Sequence, residues 1–191
     1  MRLTAAIAGL AAALAIGGAA QADPLFDLYQ SVCVNTLAAP AAATAAAEAQ
    51  GLTNPPPAQA AQIATLFGAD GAGQARVDMK TQRLLVVGTK IFPLGPLKPN
   101  VRICLVGMPG APSQAVKDQL AALAAVPAYP MNASGLETVY IFTEDGGLHA
   151  PVKNPDDDKA IAAAIAGGRV RIAFMMASGP FTALAYAIPE K

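Results

Sequence analysis

The chain has 191 residues, with 13 basic and 13 acidic side chains, one His and two Cys. This balance argues against a nucleic-acid surface, which needs clustered Lys and Arg, and against a polybasic membrane patch. Alanine makes up roughly a quarter of the residues and aromatic residues only 5%. The apolar fraction therefore overstates the core, because alanine favours helix but buries little surface, and exposed rings for stacking on sugars or single strands are scarce.

Met1-Arg2 precedes an apolar run from Leu3 to Ala20, and Ala20-Gln21-Ala22 puts small residues at both ends of a peptidase triplet. The pattern reads as a secretory signal over 1–22, cleaved before Asp23. As a membrane span the run is marginal, since a span takes about 20 strongly apolar residues. The residue directly after the cleavage point is Asp23 rather than Cys, so a lipid anchor is disfavoured. The expected location is the periplasm or the medium, with membrane contact only through an uncleaved signal. Residues 23–191 then form a single domain, long enough for a real core.

Asp23-Pro24 is a helix start, with Asp as N-cap and Pro at the first position. Leu25, Phe26, Leu28, Tyr29, Val32, Cys33 and Thr36 share one side of that helix. Pro40 opens an Ala-rich helix to Gln50, stopped by Gly51; with nothing large to bury, it is expected on the surface. Leu52 to Pro57 reads as a linker. A third helix, Ala58 to Phe67, is anchored by Ile63, Leu66 and Phe67. The glycines at 68, 71 and 73 follow a helix and lead into a strand, the reverse of a phosphate-binding loop.

From Ala75 the period changes to two, and a hairpin is expected through Lys80-Thr81-Gln82 to Leu84–Val87. Pro93, Pro96 and Pro99 mark a loop. Val101 to Val106 reads as an interior strand, with Arg102, Cys104 and Val106 on the face toward the first helix. Ser113 caps a fourth helix, Gln114 to Ala125, with Val116, Leu120 and Leu123 inward. Thr138–Thr143 and Leu148–Val152 form a hairpin around Glu144-Asp145-Gly146-Gly147. A fifth helix starts at Asn154-Pro155-Asp156-Asp157-Asp158 and ends at Gly167-Gly168. Val170–Met176 and Phe181–Ile188 close the chain as a last hairpin.

In an exported chain, two cysteines read as one disulfide, Cys33–Cys104. It closes a loop of roughly 70 residues, and chain entropy gives it about 4 kcal/mol. A redox pair would more usually show Cys-x-x-Cys, and a metal site would need more ligands than a single His offers. The expected fold is α+β: a mainly antiparallel sheet with helices on one face and the N-terminal helix disulfide-linked to the sheet.

The helix with Phe26 and Cys33-Val34, the Ala-rich helix to Gly51, the hairpin strand and second Cys over Leu84 to Val106, and the closing strand pair Val170 to Ala187 resemble a group of small exported bacterial proteins and lipoproteins of uncharacterised function. The resemblance implies two cysteines and an envelope location, and it supplies no activity.

His149 is the first candidate for chemistry, with Glu144 and Asp145 in the same hairpin and Asp156 to Asp158 beyond it. The set could serve as a metal or acid/base cluster. The bland alternative is turn chemistry and helix-start acids, with His149 an ordinary strand residue, and it is favoured because the spacing matches no ligand pattern. Ser134 and Ser178 lack the nucleophile elbow. Arg102 and Arg171 sit on apolar strands, where a buried Arg needs a carboxylate; Glu137 or Asp78 could supply one, but the favoured reading is that both arginines point outward at strand edges. No catalytic, metal or cofactor set is assigned. The leading expectation is a non-enzymatic envelope protein that binds a protein or envelope component. The alternative is an apolar small-molecule binder between the sheet and the Ala-rich helices. A hydrolase or metal site centred on His149 comes last.

Overall fold

The computed structural model describes residues 23–64, 72–91, 98–130, 135–152 and 158–190. The expected signal, the anchors Leu66 and Phe67, the glycines at 68 and 71, Pro93 and Pro96, Ser134, and Asp156 with Asp157 lie outside these residues.

Five α-helices and seven strands follow in the order α1 (Pro24–Tyr29), α2 (Pro40–Ala49), α3 (Pro57–Ala64), β1 (Ala72–Asp78), β2 (Arg83–Ile91), β3 (Asn100–Pro109), α4 (Gln114–Ala124), β4 (Leu136–Asp145), β5 (Leu148–Pro151), α5 (Asp158–Ala166), β6 (Val170–Ser178) and β7 (Phe181–Pro189). The strands form one antiparallel sheet in the order β1-β2-β3-β7-β6-β4-β5. The last strand of the chain is thus inserted at the centre. Its apolar run explains why: every residue from Thr182 to Pro189 is buried, as a strand covered on both faces requires. Leu184, Tyr186 and Ile188 fill one side, Ala185 and Ala187 the other.

Helix α1 begins as its residues dictate. Asp23 Oδ1 accepts from the Leu25 N–H at 2.9 Å. Its other oxygen accepts from Ser113 Oγ at 2.9 Å, while Ser113 caps α4 by accepting from the Val116 N–H at 3.1 Å. The two helix starts are therefore tied together, so α1 and α4 lie side by side on the sheet. A π-helical turn, Gln30–Val34, continues α1. It brings Tyr29, Val32 and Cys33 fully inside. The Cys33–Cys104 disulfide closes there, with 5.3 Å between the Cα atoms and 71 residues of separation.

The main core lies between α1, α2, α4 and one sheet face, built from Leu28, Tyr29, Leu85, Val106, Leu120, Phe142, Met175 and Leu184 among others. Helix α5 joins the other face, where Ile165 packs with Val139, Val170, Ile172 and Phe174. Helix α2 is not the surface helix that its composition implied. Ala43 and Ala47 are fully buried in the main core, because methyl side chains let a helix backbone come close to the sheet. Thr44 Oγ1 and Gln74 Oε1, 3.1 Å apart, join α2 to β1. The linker too is part of the fold: Leu52 is buried, and Thr53 exchanges two 2.8 Å backbone hydrogen bonds with Val77. In α4, Val116 and Leu120 point inward as expected, but Ala124 is buried where Leu123 was expected to be.

Candidate functional site

Two arginines, Arg102 and Arg171, lie at one end of the helix-covered sheet face. Alternation puts Arg102 on this face with Cys104 and Val106, and Arg171 with Ala173 and Met175. Arg102 stands opposite Ile188 on β7, and Arg171 opposite Phe142 on β4. Both therefore lie at the rim of the main core, where strand residues leave the cover of the helices.

Arg171 is largely enclosed, its side chain 13% exposed. Its Nε donates to Glu144 Oε2 at 2.9 Å, and Nη1 donates to the carbonyls of Gly168 and Val170 at 3.2 and 3.0 Å. Arg102 Nε lies 3.3 Å from Glu190 Oε1. That approach is out of line, so this buried nitrogen makes no hydrogen bond among the described residues. Glu190 also accepts from Asn100 Nδ2 at 2.8 Å through Oε2. The carboxylate partners are thus Glu190 and Glu144 rather than Glu137 or Asp78. Asp78 is engaged with Arg83, at 3.0 Å, across the β1–β2 turn. The sequence could not choose between these acids, because pairing depends on which strands become neighbours.

Tyr186 stands one row deeper, opposite Cys104. Burial pushes its hydroxyl up to about 12, with the Glu144 carboxylate adding to the shift while the Arg171 guanidinium works against it. Tyr29 meets the Tyr186 ring edge-on at 6.4 Å. Its hydroxyl donates to the Ala185 carbonyl at 3.3 Å, and burial raises its ionisation well above the usual phenol range. The two tyrosines flank the disulfide, one a helical turn before Cys33 and the other paired with Cys104. Nothing in the sequence marked them as a pair, since each reads as an ordinary core aromatic.

His149 is placed by β5. Its ring lies 4.5 Å from that of Phe142, and Nδ1 is 2.9 Å from the Leu123 carbonyl and 3.3 Å from that of Ala124. These carbonyls end α4 and have no helical partner of their own. The contact assigns the proton to Nδ1, because a carbonyl only accepts. His149 therefore ties the end of α4 to the sheet. Asp145 is brought elsewhere. Gly146 and Gly147 (φ +58° and +82°) make a two-residue turn, so Glu144 and Asp145 belong to the strand, paired with His149 and Leu148. Glu144 shares the face of His149, and Asp145 takes the opposite one, 80% exposed and 3.3 Å from Arg169. Of the candidate set His149, Glu144 and Asp145, this alternation leaves His149 and Glu144 on one face and puts Asp145 on the other. Among the described residues, no three His, Cys, Asp or Glu side chains converge as metal ligands would.

The arrangement is a set of charge pairs at the strand ends, with His149 fastening the end of α4 to the sheet. Shallow grooves among the described residues outside it measure about 290, 260 and 150 Å³. No protein-family model, curated protein or solved structure matches this chain.

Proposed function

We propose that the protein is an exported, non-enzymatic binding domain of the bacterial envelope, which acts by docking a protein or another envelope component. The buried disulfide carries this reading. Both sulfurs are fully enclosed where helix meets sheet, and such a bond belongs to an oxidising compartment. No helix among the described residues is long and apolar enough to cross a membrane. Two of the polar side chains weighed for chemistry are engaged within the fold: Arg171 by Glu144, and His149 by the end of α4.

The test begins with the intact mass of protein from an exporting host, with and without reduction and alkylation. The expected species starts at Asp23 and has no free thiol. Crosslinking in the cell should then trap a specific protein. Free thiols without reduction, or repeated blank crosslinking together with an apolar ligand retained in native mass spectrometry, would replace this reading.

A further inference from the structure

The two edges of the sheet are treated differently. The β5 edge is only four residues long and ends in Pro151. Beside it, β4 is met by Tyr129, whose N–H donates to the Val139 carbonyl at 2.7 Å. Short strands, Pro and covering chain are the usual ways to block an edge from pairing with another chain. The β1 edge is longer, paired with Thr53 at Val77 and flanked by α3 beside Gly73–Arg76. It runs seven residues, Ala72–Asp78, without Pro. Its charged side chains are taken up within the fold, Arg76 by Glu48 at 2.8 Å and Asp78 by Arg83 at 3.0 Å.

Register shows which groups point outward. Val77 exchanges both its backbone bonds with Thr53 on the outer side, so by alternation Ala75 and Gly73 also turn their N–H and C=O outward. Among the described residues no backbone group pairs with them; only Arg76 Nη1 reaches the Ala75 carbonyl, at 2.8 Å. Thr53 therefore occupies the first rung of an added strand, and the chain then turns away through Pro55, Pro56 and Pro57. A groove of about 290 Å³ remains beside Gly73–Arg76, walled by Asn54, Pro55, Ala60 and Ile63. The wall can yield, since no residue from Pro57 to Ile63 of α3 is buried.

We propose that this edge is a docking site for an extended segment of a partner polypeptide, which pairs with Gly73 and Ala75 as an eighth strand. The proposal rests on the binding-domain reading above and names the chemistry of the partner. Backbone hydrogen bonds supply the affinity. Alternate side chains facing Pro55, Ala60 and Ile63 have to be small and apolar, because the groove offers little room and mostly apolar walls. Gly73 and Ala75 present nothing larger than a methyl group, so a backbone can approach to strand distance.

The probe is a library of random peptides displayed on phage, panned against the whole oxidised mature chain. A selected peptide is then synthesised and titrated into labelled protein. Amide shifts should centre on Gly73 and Ala75, and exchange of those two amides should slow on binding. Methylating the peptide nitrogen at one residue parity should weaken binding by about tenfold or more, and methylating the other parity should change it little, because alternate N–H groups face the edge. The parity readout needs no protein variant and so does not depend on refolding. Ala75→Pro, which removes no ladder bond, should give a similar loss. Failure to enrich any peptide, shifts centred elsewhere, or equal effects at both parities would overturn the edge site. A crosslinked partner in the cell whose contacts map away from β1 would sink the edge site while leaving the binding-domain reading intact.

Discussion

Replacing Cys33 and Cys104 together by alanine removes the covalent tie between the N-terminal helix and the centre of the sheet. The bond spans 71 residues of sequence, so its loss frees about 15 cal/mol/K of chain entropy in the unfolded state, or about 4 kcal/mol at room temperature. Both sulfurs are fully buried, so the void left behind adds to the cost rather than reducing it. For a chain of this size the melting temperature should fall by about 8–16 °C. The measurement is equilibrium urea unfolding followed by far-ultraviolet circular dichroism, since the chain has no Trp. The variant should also show a larger dependence on urea, because an unlooped chain exposes more surface. Tyr29, Val32 and Leu28 keep α1 docked by burial, so a native sheet signature is expected in the variant at low temperature. A loss below about 1.5 kcal/mol would refute the argument that the long loop, rather than local packing, is what the disulfide contributes.

His149→Ala should destabilise the fold by about 1 kcal/mol, through loss of its bond to the Leu123 carbonyl and its contact with Phe142. Nitrogen shifts of the native ring should report the Nδ1-protonated form, and the opposite tautomer would contradict the geometry. Ala125 ends α4 with φ +53°; Ala125→Gly should therefore raise stability by about 1 kcal/mol in the same unfolding assay. Arg171→Met leaves the Glu144 carboxylate beside the Tyr186 ring without its cation, and because Glu144 is partly solvated the expected loss is about 2 kcal/mol. Adding Glu144→Leu should recover much of that loss; no recovery would mean that packing, not charge, was removed. The tyrosines give a pH test. Burial raises the Tyr186 hydroxyl to about 12 and the Tyr29 hydroxyl well above the usual phenol range, whereas unfolded phenols ionise at about 10. Their contribution is fully present below about 10 and is lost as pH rises toward about 12. Absorbance at alkaline pH should show these two phenols ionising only with unfolding, and reversible ionisation of all four near 10 would contradict their burial.

Much of the fold was legible because its signals are local. Asp23-Pro24 and Ser113 are caps that act within one turn. The apolar stripe Leu25–Cys33 and the alternation in Val101–Val106 are periods that any short window shows. The Cys33–Cys104 pair was legible because two cysteines permit only one intramolecular bond. The candidate residues were less legible. Arg102 and Arg171 read more readily as pointing outward than as paired with Glu137 or Asp78, because their partners Glu190 and Glu144 are brought close by strand adjacency that no local pattern encodes. His149 looked like a possible ligand with Asp145, and a two-glycine turn then put the two on opposite faces. Helix α2 looked peripheral because alanine has little to bury, yet small side chains are what allow it to sit close to β1 and β2.

By itself, the sequence determined the helix starts at Asp23-Pro24, Pro40 and Ser113, which faces are apolar, and that one disulfide could staple the first helix to a strand, whereas β1 starts at Ala72 rather than Ala75 and β4 at Leu136 rather than Thr138. The first three follow from caps, periodicity and residue count, all short-range or unique in their solution. Only the tertiary structure decided that β7 lies between β3 and β6, that Gly73 and Ala75 on the β1 edge have no backbone partner among the described residues while the β5 edge is short and ends in Pro151, and which charges meet. Loop-closure entropy changes slowly with chain separation. Many strand orders therefore cost nearly the same to close, and the choice falls to the mutual fit of buried faces that only the assembled sheet and helices present.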